Sequence, residues 1–216
     1  MYYPRNPLYQ STKRLKQGRK RLRPPFDELA AWLSKTRKVN VLNVAYYRRT
    51  KHGVPWLHVV HEHPTNKFER SLSSPDRRQK KSIVRRFIRI VESNDAYDFD
   101  VEGLAVMFHA FSPIALAEAD EQVSPRQIAA MKKRIGPELW HIQHAFGQVV
   151  FFFYTDKQVK KHKAAGKEKI CADLYFDVLK PYDEFGYLKR NKCRVRFDSK
   201  ENFDNNYQGN WYYYYK

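Results

Sequence analysis

A chain of 216 residues with 42% hydrophobic and 15% aromatic content is long enough for one large domain, and able to bury a core rather than remain disordered. Lys and Arg outnumber Asp and Glu by 41 to 23, a net charge of +18 that favours polyanionic partners and says nothing about fold. No apolar run approaches the ~20 residues of a membrane span, the opening Met1-Tyr-Tyr-Pro-Arg-Asn-Pro7 has no secretory core, and the cysteines, Cys171 and Cys193, lack CxxC spacing and read as reduced core thiols.

Residues 1–25 hold Arg5, Lys13, Arg14, Lys16, Arg19, Lys20, Arg21 and Arg23 with no acid, so this segment carries +8 of the +18 and the remainder +10. Its four prolines and few apolar side chains predict a flexible basic arm, followed by a single domain over residues 26–216. Residues 26–37 then read as a helix, with Asp27 and Glu28 in the first turn and Leu29, Trp32 and Leu33 on one side. Two β-rich runs, 39–49 and 56–63, flank a turn-like segment at 50–55 and predict a hairpin. Ser74-Pro75 has the form of an N-cap followed by proline at the first helical position. The helix it opens, to Val91, separates Ile83, Val84, Phe87, Ile88 and Val91 from a basic face of Arg78, Lys81, Arg85 and Arg89.

Residues 101–111 predict a buried strand ended by Ser112-Pro113, and Ser124-Pro125 opens a helix that stops at Gly136-Pro137. Residues 148–154 form the clearest interior strand pattern. Helices follow at 156–165 and 167–179, the second with Ile170, Leu174 and Val178 as its apolar stripe. Cys193, Val195 and Phe197 alternate with Arg194 and Arg196, a half-buried strand, and the terminal Trp211-Tyr-Tyr-Tyr-Tyr-Lys216 predicts another. Hairpins mixed with helices, without a regular βαβ rhythm, indicate an α+β fold with a largely antiparallel sheet and several packed helices. No internal repeat is visible in the sequence.

The arm and the basic helix are the electrostatic candidates, because Lys and Arg neutralise phosphates and release counterions without reading sequence. Tyrosines in Tyr46-Tyr47-Arg48-Arg49 and at 212–215 offer stacking platforms for unpaired bases, although alternate members of a strand face opposite sides. The first reading is therefore a cytoplasmic, non-enzymatic nucleic-acid-binding protein, nuclear in a eukaryote, with no cofactor and no membrane partner.

Two chemical alternatives stand beside it. In Leu57-His-Val-Val-His-Glu-His63, strand alternation places His61 and His63 on one face and His58 and Glu62 on the other, so that His61 and His63 could hold a divalent metal. Paired histidines on a strand resemble the metal motif of HUH endonucleases, which implies a helix-borne tyrosine nucleophile, with Tyr187 as the residue to try. The sequence departs from that motif by placing Glu62 where a bulky apolar residue belongs. Asp98, Asp100 and Glu102 form a second possible metal group of the kind Mg²⁺ phosphodiester chemistry uses, or a counterweight to nearby arginines. His141 and His144 would share one face of a helix, and as single residues are structural histidines. These groups point to a metal-dependent nuclease; a third class is an inhibitor that binds an acidic partner protein. No P-loop, GxSxG, GxGxxG or HExxH is present.

Overall fold

The computed structural model describes residues 2–48, 53–65, 75–145 and 148–216. The fold is α+β, but its sheets are mixed rather than largely antiparallel. The chain also divides into two compact units, Met1–Ile114 and Ala115–Lys216. The physical reason is that each unit closes a three-stranded sheet over a core of its own.

In the first unit, α1 (Pro7–Lys16) is followed by α2 (Phe26–Arg37), and the hairpin of β1 (Val41–Tyr47) and β2 (Trp56–His61) comes next. The helix α3 (Pro75–Glu92) then returns the chain so that β3 (Ala105–Ala110) lies parallel to β2. The N-cap expected at Ser74, the turn residues 50–52 and Arg49 lie outside the described residues. One face of this sheet, with Val44, Leu57, Val59 and Val106, packs against Leu29 and Leu33 of α2 and Ile83 and Phe87 of α3. The amphipathic pattern that predicts α3 is therefore the one that buries it.

Residues 7–16, expected to be unpacked, form α1. Asn6 caps the helix by accepting from the Leu8 N–H at 2.9 Å, and Pro7 sits in the first turn, where its missing N–H costs nothing. Tyr9 and Thr12 are fully buried, the Tyr9 ring stacking on Phe111 at 5.0 Å. The Asn43 amide of β1 donates to the Thr12 hydroxyl at 2.9 Å. Lys16 finds the acid its own segment lacks: its ammonium lies 2.5 Å from Glu62, which also accepts from Asn40 at 2.7 Å. One large aromatic and two long-range polar contacts thus order a segment whose composition alone predicts disorder.

The second unit repeats the arrangement. After α4 (Phe111–Glu121), which spans the boundary, come α5 (Pro125–Ile135), an antiparallel hairpin of β4 (Leu139–Ala145) and β5 (Gln148–Phe153), the helices α6 (Asp156–Ala164) and α7 (Lys167–Leu179), and β6 (Arg196–Ser199), parallel to β5. It ends in α8 (Lys200–Tyr207) and α9 (Trp211–Tyr214). Both hairpins carry a bulge at the second residue of their first strand, between Val41 and Asn43 and between Leu139 and His141. In both, the residue that follows the preceding helix has positive φ, Lys38 at 52° and Gly136 at 116°. The register makes Leu57, His58, Val59 and Val60 equivalent to Val149, Val150, Phe151 and Phe152, and Met107 and His109 equivalent to Arg196 and Asp198.

Several local expectations change. The buried face of α7 is Cys171, Ala172, Tyr175 and Leu179, and Ile170 is 57% exposed, because the core lies one position round the helix from the expected stripe. Residues 139–145, including His141 and His144, are a strand, so the shared helical face expected for the two histidines does not exist. The C-terminal aromatics form α9 instead of a strand. Ser112-Pro113 lies in the first turn of α4, continuing as helix what the sequence reads as a stop.

Replacing Tyr9 with Ala removes a fully buried aromatic and is expected to destabilise the first unit by about 3 kcal/mol or more. In limited trypsinolysis the variant should be cut faster than wild type between Lys13 and Arg23; equal cutting rates would show that α1 does not depend on this contact.

Candidate functional site

The first unit holds 23 Lys and Arg against 10 Asp and Glu, and the second 18 against 13, so the units carry +13 and +5 of the +18. The excess has a defined geometry on α3. Ile83, Phe87, Ile90 and Val91 are buried, while Arg78, Lys81, Arg85 and Arg89 are all exposed along the opposite row. None of these four forms an ion pair among the described residues. Beside them an open depression of about 640 Å³ runs along the sheet edge, lined by Lys80, Lys81, Arg85, Trp56 and Ala105. The exposed cations of the N-terminal segment form a second group: Arg5 and Arg14 on or beside α1, and Arg19, Lys20, Arg21 and Arg23 after it. Lys13 and Lys16 are half-buried and partnered.

The histidines divide differently from the pairs expected along one strand. His61 ends β2 almost fully buried, its Nδ1 2.7 Å from the His63 carbonyl oxygen, and His63 lies beyond the strand with Nδ1 3.2 Å from the Ser112 hydroxyl. The alternation thus stops before His63. Tyr187 belongs to the second unit, where its backbone N–H donates to Asp183 at 2.9 Å. Asp100 forms an ion pair with Arg48 at 2.8 Å and accepts from the Glu102 N–H at 2.9 Å, which is the counterweight reading of that acidic run. Among the described residues no three His, Cys, Asp or Glu side chains are grouped to share a metal ion. None of the described helices is long and apolar enough to cross a membrane.

Sequence reasoning missed the pair His58 and His109. Strands β2 and β3 bring them together across 51 residues, with His58 Nδ1 2.9 Å from His109 Nε2 and the rings nearly parallel at 5.1 Å between centroids. Tyr2 lies over His109 at 4.5 Å, and the Tyr47 ring meets His58 edge-on at 6.2 Å. These rings border a cavity of about 550 Å³ between α1 and the sheet face, with Asn6, Ser11 and Met107 also in its wall. Tyr47 is 56% exposed at its mouth, whereas Tyr46 points to the opposite side and packs on Phe99 at 5.1 Å. A period-two reading of residues 105–110 could have placed His109 on a strand face, but only the parallel pairing identifies its partner.

Burial holds both imidazoles below the ordinary histidine value of 6.5, His109 down to about 4, with the nearby His58 and His61 adding to the effect. At neutral pH the pair is therefore uncharged, one ring donating and the other accepting, with its hydrogen bond directed along the cavity wall.

No family model matches the chain, and neither a curated protein nor a solved structure matches it.

Because the folded value of His109 is below its unfolded value, the unfolded chain takes up this proton first as pH falls. The associated stability is complete above pH 6.5 and is lost as pH drops towards 4. Urea titrations at pH 7 and pH 4.5 are expected to differ for wild type by about 2 kcal/mol more than for His109→Phe. Parallel losses in the two proteins would contradict a half-buried imidazole held neutral at this position.

Proposed function

We propose that the protein binds nucleic acid through the basic surface of its first unit, chiefly by contacts to phosphates. The observation that carries this reading is the row Arg78, Lys81, Arg85 and Arg89, exposed on a helix whose opposite face is locked into the core and unpaired among the described residues. Cations fixed on a rigid helix are pre-positioned for a phosphate track and lose little conformational freedom in the backbone on binding, unlike cations on a loose tail. The exposed Arg14, Arg19, Lys20, Arg21 and Arg23 add a second cationic patch to the same unit. A net +13 on that unit also favours rapid, salt-sensitive association with any polyanion.

The test is binding of a labelled oligonucleotide across a salt series. Wild type is expected to lose affinity steeply between 50 and 200 mM salt, on the order of 10³-fold where six or more phosphates are contacted. Lys81→Ala/Arg85→Ala should reduce the slope of log K against log salt by about two and leave thermal stability nearly unchanged, because both side chains are exposed. Binding that ignores salt, or a double variant that binds like wild type, would refute the reading.

A further inference from the structure

The two units offer an internal comparison. In the second unit the sheet face bearing Val150 and Phe152 is filled by Phe203, Trp211 and Tyr214, with Trp211 5.3 Å from the Phe152 ring and the Tyr214 hydroxyl donating to Asp198 at 2.5 Å. The equivalent face of the first unit bears His58 and Val60, and His109 stands where Asp198 does. Here α1 is anchored to the face near Asn43, through Thr12. The rest stays open as the 550 Å³ cavity, with imidazoles in place of the apolar and acidic groups of its counterpart.

The wall of that cavity has two chemical characters. Tyr47, Tyr2 and Met107 present flat or polarisable apolar surface, and Tyr47 and Met107 are 56% and 40% exposed. The His58–His109 pair, Asn6 and Ser11 present neutral donors and acceptors. A planar heterocycle with a hydrogen-bonding edge meets both requirements, and the volume lies within the usual ~300 to 1,000 Å³ of small-molecule sites. Pro7 and Ser11 also border a second hollow of about 240 Å³, whose other walls include Arg14 and Lys20. Neither cation is ion-paired among the described residues. An anion there would lie beside whatever fills the larger cavity.

From this juxtaposition we infer that the Tyr47–His58–His109 cavity holds a nucleobase while Arg14 and Lys20 hold the adjoining phosphate, so that the first unit binds an unpaired nucleotide. The inference deepens the nucleic-acid reading, on which it rests for the longer strand, and assigns the unpaired base a place that a duplex cannot occupy without opening. The same chemistry is presented by a free nucleoside monophosphate and by one unit of a single strand.

The experiment uses the full chain and four probes at 50 mM salt: a single-stranded DNA 12-mer, an abasic strand of the same length, the same sequence as duplex, and free nucleoside 5′-monophosphates. Wild type should bind the base-bearing strand about tenfold more tightly than the abasic one, the scale of one stacked base. Tyr47→Ala, an exposed change, should abolish most of that difference and leave abasic and duplex affinities within about twofold. Ser11→Phe, which fills the cavity as aromatics fill its counterpart, should act in the same way, and thermal denaturation of each variant confirms folding. Equal affinity of wild type for base-bearing and abasic strands overturns the base site while leaving phosphate binding intact. Equal weakening of both strands by Tyr47→Ala also overturns it. Saturable binding of monophosphates that Tyr47→Ala removes, with no binding of any strand, upholds the pocket and refutes the phosphate track. No binding of any probe refutes both.

Discussion

A three-stranded sheet with a buried central strand has two faces to keep from water, and a single layer of helices can cover only one. The remainder of this protein follows from how the second face is closed. Both central strands, β2 and β5, are flanked by an antiparallel and a parallel neighbour, and in both units the helix before the hairpin and the connection before the parallel strand cover the first face. The second face must borrow its cover from beyond this shared frame. In one unit the cover is α1, from upstream; in the other it is α8 and α9, from downstream. The two borrowed covers differ in chemistry. The downstream one brings Phe203, Trp211 and Tyr214 and seals its face, whereas the upstream one brings Tyr9 and Thr12 at one end and cations along its outer side.

That difference explains why ordering α1 and creating the cavity are one event. Tyr9 against Phe111 and Thr12 under Asn43 fix the helix near one end of the sheet, and towards the other end Tyr2, Asn6, Pro7, Leu8 and Ser11 wall the cavity. The cavity region consequently separates neutral from charged groups. Neutral imidazoles supply directional hydrogen bonds, because burial keeps them unprotonated, while the formal charge stays on arginines and lysines in contact with water. A charged histidine pair would repel itself and blur that division.

The sequence makes local structure legible where caps and periodicity agree. α2 has the bounds expected of it, α5 opens at Ser124 with a reciprocal capping box to Gln127, and the buried and basic faces of α3 fall where the 3.6-residue period places them. The alternation of Cys193, Val195 and Phe197 also holds. What is not legible depends on distance along the chain. The partner of Lys16 is Glu62, that of Thr12 is Asn43 and that of His58 is His109, so neither the packing of residues 7–16 nor the histidine pair has a local signature. The repeated architecture is hidden for a related reason. Equivalent positions such as Leu57 and Val149, or Val59 and Phe151, share burial and little else, and burial is a property of the assembled sheet.

The comparison between units also bears on whether the histidine pair is ordinary packing. A core position equivalent to Val150 has a ready apolar solution, which the second unit uses, with Val150 fully buried. Placing His58 there introduces polar atoms that must be satisfied, and among the described residues its Nδ1 is met by His109, itself a half-buried imidazole. Two such groups facing a water-accessible cavity cost stability below neutral pH, which a valine would not. Cations at positions 14 and 20 have no bearing on that packing balance, and Arg14 and Lys20 line the adjoining hollow with no ion pair among the described residues. The same frame closes this face with aromatics in one unit and keeps it open, lined by imidazoles and flanked by cations, in the other, and that contrast is the ground of the nucleotide proposal.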